Sequence, residues 1–117
     1  MHKLLEQAAQ AAGIEFGIIH GTPHVYSDAG WTPWNPLEDD GDAFRLAVGL
    51  GISLELDASI QTDVNQFQGS AYGDYATGVE AWWVNNTGKV FVSRQVYNDN
   101  PAECVRLAVV ETAAQMC

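Results

Sequence analysis

The sequence predicts an α+β domain, an antiparallel sheet of four to five strands sandwiched by about three helices. Three observations lead there. Helical spacing and capping residues mark segments at the start, middle and end of the chain. Short β-branched runs lie between them. One pair of runs, residues 79–84 and 89–96, flanks Asn85-Asn86-Thr87-Gly88, a strong hairpin turn. At 117 residues the chain is sized for one domain, residues 1–117, with 47% apolar residues to build its core.

Residues 1–12 read as the first helix. Leu4, Leu5, Ala8, Ala11 and Ala12 share one face, and Gly13 suits the position just past a helix end. Residues 14–19 are apolar and β-branched enough for a strand. From His20 to Pro36 the chain is rich in Pro, Gly and polar residues and reads as a loop, with a short strand at Val25-Tyr26-Ser27. Glu38-Asp39-Asp40-Gly41-Asp42 then introduces a second helix, because Asp39 or Asp40 can cap it and acids favour the positive end of its dipole. Ala43, Leu46, Ala47 and Leu50 form its apolar face, and Gly51 closes it.

Residues 52–56 alternate with period two and predict a strand with one polar face. Residues 57–78, rich in Gln, Asn, Gly and Tyr, read as an exposed strand followed by a long loop. After the hairpin the last helix starts at Asn100, with Pro101 at its first position and Glu103 in a capping-box place. Arg45-Leu46-Ala47-Val48 recurs as Arg106-Leu107-Ala108-Val109, each after an Asn-Pro pair, which suggests two helices using similar faces.

Charge narrows the function classes. Fifteen acids against five bases give a net charge of −10, the opposite of what binding nucleic acid or anionic lipid requires. No apolar run is long enough to span a membrane. Cys104 and Cys117 lie roughly three and a half helical turns apart, too far along one axis to bridge, so both read as free thiols of a reducing compartment. Common catalytic motifs, including GxSxG, the P-loop, HExxH and CxxC, are missing. His20 and His24 flank a Gly-Thr-Pro turn and could serve as base or metal ligand, but loop histidines are more often solvated. The acidic run at 38–42 lacks the spacing of a calcium loop. The sequence thus predicts no catalytic residue, no metal site and no cofactor.

The aromatic residues point to binding. Trp31 and Trp34 bracket Thr-Pro in a loop, and adjacent Trp82 and Trp83 must face opposite sides of a strand. Tyr72 and Tyr75 lie in the Gly-rich segment before them. Aromatics beside short polar groups suit a stacked ring with hydrogen-bonded edges. The expected ligand-binding residues are Trp31, Trp34, Asn35, Arg45, Tyr72, Tyr75, Trp83 and Arg94. A loop pinned to the core by its tryptophans is the plainer reading beside it, and an ion pair with Asp42 or Asp40 is the plainer role for Arg45.

Trp34-Asn35-Pro36-Leu37, followed by Asp39-Asp40-Gly41-Asp42-Ala43-Phe44-Arg45-Leu46-Ala47, resembles the signature of the phage ABA-sandwich domain family. The helix at Leu4–Gly13 and the Asn-Pro helix at Asn100–Ala113 are similar to that family's ends, while residues 57–78 match nothing. The resemblance implies a small phage accessory protein in the host cytoplasm with a single α/β sandwich domain, and it supplies no catalytic residues. Small acidic phage proteins are associated with antagonism of host defence, and two mechanisms fit. The expectation placed first is sequestration of a nucleotide-derived signal, a cyclic nucleotide or an ADP-ribose derivative, by a small homo-oligomer. Its alternative is an acidic protein that blocks the basic channel of a host nuclease complex, where the charge would steer association. Neither needs direct nucleic-acid or membrane contact.

Overall fold

The computed structural model describes residues 2–63 and 74–117. Among these residues the chain forms three helices and two three-stranded antiparallel sheets. Helix α1 (His2–Ala11) leads into sheet A, a meander of β1 (Glu15–Ile19), β2 (Thr22–Ser27) and β3 (Gly30–Pro33). Helix α2 (Asp40–Leu50) leads into sheet B, a meander of β4 (Ser53–Asp63), β5 (Asp74–Val84) and β6 (Val90–Val96). Helix α3 (Pro101–Gln115) follows. The repeated Arg-Leu-Ala-Val thus falls on two helices that each follow a meander.

The α+β class holds, but the layering differs from one sheet between helices. Contacts run from sheet A to α1, from α1 to α3 and from α3 to sheet B, with α2 also against α3. The helices therefore lie between two small sheets, and each sheet turns one face to them.

Sheet A accounts for most of the difference. Residues 20–36 are not a loop with one short strand; they hold β2 and β3. His20 and Gly21 both adopt positive φ, 51° and 76°, between paired residues Ile19 and Thr22. Two left-handed residues make the tight turn whose twist suits a hairpin. The next turn is closed by Ser27, whose Oγ accepts from the Ala29 amide at 3.3 Å, and by Gly30 at φ 84°. Prolines survive in these strands because Pro23 is the second residue of β2, beside the turn, and Pro33 ends an edge strand.

Sheet B extends further than the sequence suggested. β4 continues past Leu56 through an irregularity at Asp57, which sits at φ 56° between paired residues Glu55 and Ala58. Tyr97 pins that bulge, its hydroxyl accepting from the Asp57 amide at 3.1 Å. β5 already begins at Asp74, so the predicted long loop is in part a strand. Gly78 permits β5 to pass β6 closely, because a Cβ there would drive into the Gln95 carbonyl and reach Ile60 Cγ1 at 2.8 Å.

The caps follow the sequence. Asp39 caps α2, its Oδ1 accepting from the Asp42 amide at 2.8 Å, and Gly51 ends it at φ 73°. Asn100 caps α3 by accepting from the Glu103 amide. α3 is buried on several sides, through Cys104, Ala108, Val109, Val110, Thr112 and Ala113. Its small residues let α1 approach with Ala8 and Ala9, both fully buried. Trp34, Leu46, Val79 and Ala81 join the two halves into one core. Among the described residues, no helix is long and apolar enough to cross a membrane.

Candidate functional site

The segment joining β3 to α2 folds around Asn35. Its amide donates to Asp42 Oδ2 at 2.9 Å, and its Oδ1 accepts from the Leu37 amide at 3.1 Å. Its carbonyl accepts from the amides of Glu38 and Asp39 at 3.0 and 2.8 Å. A short polar side chain that bonds its own neighbouring backbone is what makes such a turn stable. Arg106 on α3 holds the same segment from the far side, donating from Nε to the Leu37 carbonyl at 2.9 Å and pairing with Asp40. Its side chain is only 13% exposed.

These bonds shape a cleft of about 990 Å³. One wall is the start of β2, with Thr22 and Pro23; another is the first turns of α3, with Glu103, Arg106 and Leu107. His2 and Leu5 of α1 close one end, while Trp34, Asn35, Glu38, Asp39 and Asp42 line the turn into α2. Leu5 and Trp34 are core residues whose edges form an apolar floor. Glu38, Asp39 and Glu103 are exposed on the rim.

The cleft's charge is one-sided. Arg106 is committed to Leu37 and Asp40, and Arg45 pairs with Asp42 at 2.7 Å on the outer side of α2, the plainer role expected for it. Arg94 pairs with Glu80 at 2.6 Å on sheet B. Each of the three arginines is thus bonded to a carboxylate. The rim offers hydrogen-bond acceptors and negative charge, which suit ammonium, guanidinium or hydroxyl groups and disfavour phosphate.

The expected binding residues are distributed over the molecule. Trp34 and Asn35 reach the cleft, but Trp34 is 7% exposed and meets Phe16 edge-on at 6.1 Å, so most of its ring is core. Trp31 lies on the outer face of sheet A, 41% exposed and edge-on to Tyr26 at 5.3 Å. Its indole crosses β2 to cover Gly17 of β1, where a Cβ would touch it at 3.1 Å. Trp83 packs against the core beside α3 and stacks on Phe91 at 5.7 Å. Trp82 takes the opposite face of β5. Tyr75 is exposed on β5 beyond the reach of β6, and Tyr72 lies outside the described residues. Arg45 stands on α2 and Arg94 on β6 of sheet B, and neither lines the cleft.

The residues that sequence reasoning missed are Arg106, Glu103, His2 and Pro23. The shared Arg-Leu-Ala-Val was the available signal for Arg106, since it placed that arginine on a helix after an Asn-Pro pair. The two loop histidines have local positions instead. His20 forms the β1–β2 turn, and His24 Nδ1 lies 2.8 Å from the Thr22 carbonyl. Among the described residues, no three His, Cys, Asp or Glu side chains gather as a metal site. Comparison of the chain with protein-family models, with curated proteins and with solved structures finds no match.

Proposed function

We propose that the chain is a non-catalytic binding protein that engages a basic surface of a partner protein through the acidic rim of this cleft. The observation that carries the reading is the commitment of Arg45, Arg94 and Arg106 to internal carboxylates, while Glu38, Asp39 and Glu103 stand exposed around the opening. With a net charge of −10, association with a basic partner is steered at long range and falls with added salt. This reverses the order drawn from the aromatic residues, because no described arginine stands free to hold a phosphate. The resemblance of Trp34–Ala47 to phage accessory proteins directs the search to basic, nucleic-acid-handling host proteins.

Sequestration of a small molecule is the second reading. It is favoured by the cleft's volume, within the range of small-molecule sites, and by the apolar floor of Trp34 and Leu5. The rim would then hold ribose hydroxyls rather than phosphates.

One experiment separates them. The protein is titrated with an oligo-arginine peptide and, separately, with ADP-ribose and cyclic dinucleotides, at low and high salt. The first reading expects salt-sensitive peptide binding that weakens about tenfold in the Glu38→Gln/Glu103→Gln variant, each tenfold being ~1.4 kcal/mol. Peptide binding indifferent to that variant overturns it. Thermal stabilisation by a nucleotide, with the intact compound released on heating, establishes sequestration instead.

A further inference from the structure

Sheet A turns Phe16 and Val25 to the core and its other side outward. Strand pairing sets Glu15, Tyr26 and Trp31 in one row of that outer side, and Gly17, His24 and Pro33 in the next. Tyr26 and Trp31 are 51% and 41% exposed. The wet side of an antiparallel sheet is expected to carry polar residues, and here two large rings stand together in solvent.

The two rings meet at an interplanar angle of 64° with centroids 5.3 Å apart, so they form a corner. Trp31 leans over β2 until Cη2 and Cζ3 of its indole lie 3.1 Å from where a Cβ of Gly17 would stand. A side chain at position 17 would lift the ring, so glycine is what lets it reach β1. The lean carries the indole onto the strand of Glu15, two residues from it and roughly 7 Å along the chain. Glu15 is exposed, and among the described residues it takes part in no ion pair. The same side of the sheet runs into the acidic cleft. Pro33, two residues beyond Trp31 on β3, lines the cleft, and so does Thr22, two residues before His24 on β2.

We propose that Trp31, Tyr26 and Glu15 form a seat for one arginine side chain of the basic partner. The identity of the partner rests on the reading of the cleft given above, whereas the seat itself stands on sheet A. A guanidinium is planar and weakly hydrated, so it stacks on an aromatic face while its N–H groups bond a carboxylate; an ammonium stacks less well. A phosphate or a carboxylate would meet Glu15 as a like charge. At a net charge of −10 the whole molecule draws such a cation in. Tryptophan, tyrosine and arginine are also the residues on which interfaces most often depend for affinity. A basic segment lying along the cleft rim thus passes over Pro33 and sets an arginine on Trp31.

Titration of the full chain with oligo-arginine and oligo-lysine peptides of equal length, at one salt concentration, tests the seat. Trp31→Ala should weaken oligo-arginine binding about two- to fivefold, the worth of an exposed cation–π contact, and oligo-lysine binding less. Glu15→Gln, which leaves both rings in place, should likewise cost the arginine peptide more than the lysine peptide. Gly17→Ala, which lifts the indole without removing it, gives the same reading if Trp31→Ala fails to fold. The Glu38→Gln/Glu103→Gln variant should weaken both peptides alike, so the cleft and the seat fail separately. Oligo-arginine binding that is absent, or that Trp31→Ala leaves unchanged, or equal losses for the two peptides, overturns the seat whatever the cleft variant does. A dimer of the free chain that dissolves in Trp31→Ala assigns the face to a second copy, and a nucleotide that stops binding in that variant assigns it to a base; either result overturns the proposal.

Discussion

Arg106 Nε lies 2.9 Å from the carbonyl oxygen of Leu37, a residue on the far side of sheet B in chain order. This bond, with the Arg106–Asp40 pair, ties the start of α2 to the first turns of α3 and fixes one wall of the cleft. A planar guanidinium can serve a carbonyl and a carboxylate at once, which an ammonium does less well.

Removing that fork should loosen the cleft and the junction together. Arg106→Ala is expected to cost about 1.5–3 kcal/mol, the range for hydrogen bonds to charged groups, and Arg106→Lys to cost less. Urea unfolding of the two variants and the wild type checks both the loss and its order.

Two glycines should respond in opposite directions to the same change. Gly78→Ala sets a Cβ against the Gln95 carbonyl and Ile60, and backbone cannot yield as a flexible side chain would. Overpacking of this kind costs about 1–3 kcal/mol or more. Gly49, inside α2, has nothing within 4 Å of its Cβ position, so Gly49→Ala should stabilise by about 0.5–1 kcal/mol. Thermal melts of the pair read the sign directly.

The tryptophans that bracket Thr-Pro should also separate. Trp34→Ala opens a cavity in the core and is expected to cost about 3–5 kcal/mol. Trp31→Ala should stay folded at a smaller cost, because 41% of Trp31 is already exposed. Near-ultraviolet circular dichroism and denaturant midpoints distinguish the two outcomes.

The cysteines give a count. Cys117 is exposed and Cys104 is buried against α3's neighbours, with its Sγ 3.5 Å from the Val96 carbonyl. A thiol reagent should titrate one group rapidly in the native protein and the second only on unfolding, since access controls the reaction. Two rapid equivalents would show that α3 does not stay seated on β6.

What was legible in the sequence was local. Asp39, Gly51, Asn100 and Pro101 mark their helix ends because capping depends on a few adjacent residues, and Asn85–Gly88 marks its hairpin for the same reason. The meander within residues 20–36 was hidden because its turn uses His20 in a left-handed conformation and its strands tolerate prolines at their ends. The division into two sheets was hidden because α3, apolar on several sides, does not announce that it serves α1, α2 and sheet B together. At the site, Trp34 and Asn35 were readable from their motif. Arg106 was not, since its partners Leu37 and Asp40 are neighbours only after folding.

The packing of α1 on α3 has a consequence for how the chain folds as it is made. α1 is synthesised before α3, and Leu5, Ala8 and Ala9 find α3 only after both meanders have been completed. Until then α1, a helix of ten residues, has only sheet A to pack on, and at that length helices in water are marginal by themselves. Local hairpins can close during translation, whereas this closing contact joins segments at opposite ends of the sequence and carries the entropy cost of the largest loop. Its apolar residues remain open to chaperones and to aggregation until α3 leaves the ribosome. The last contact of the domain to form thus belongs to a helix made well before its partner.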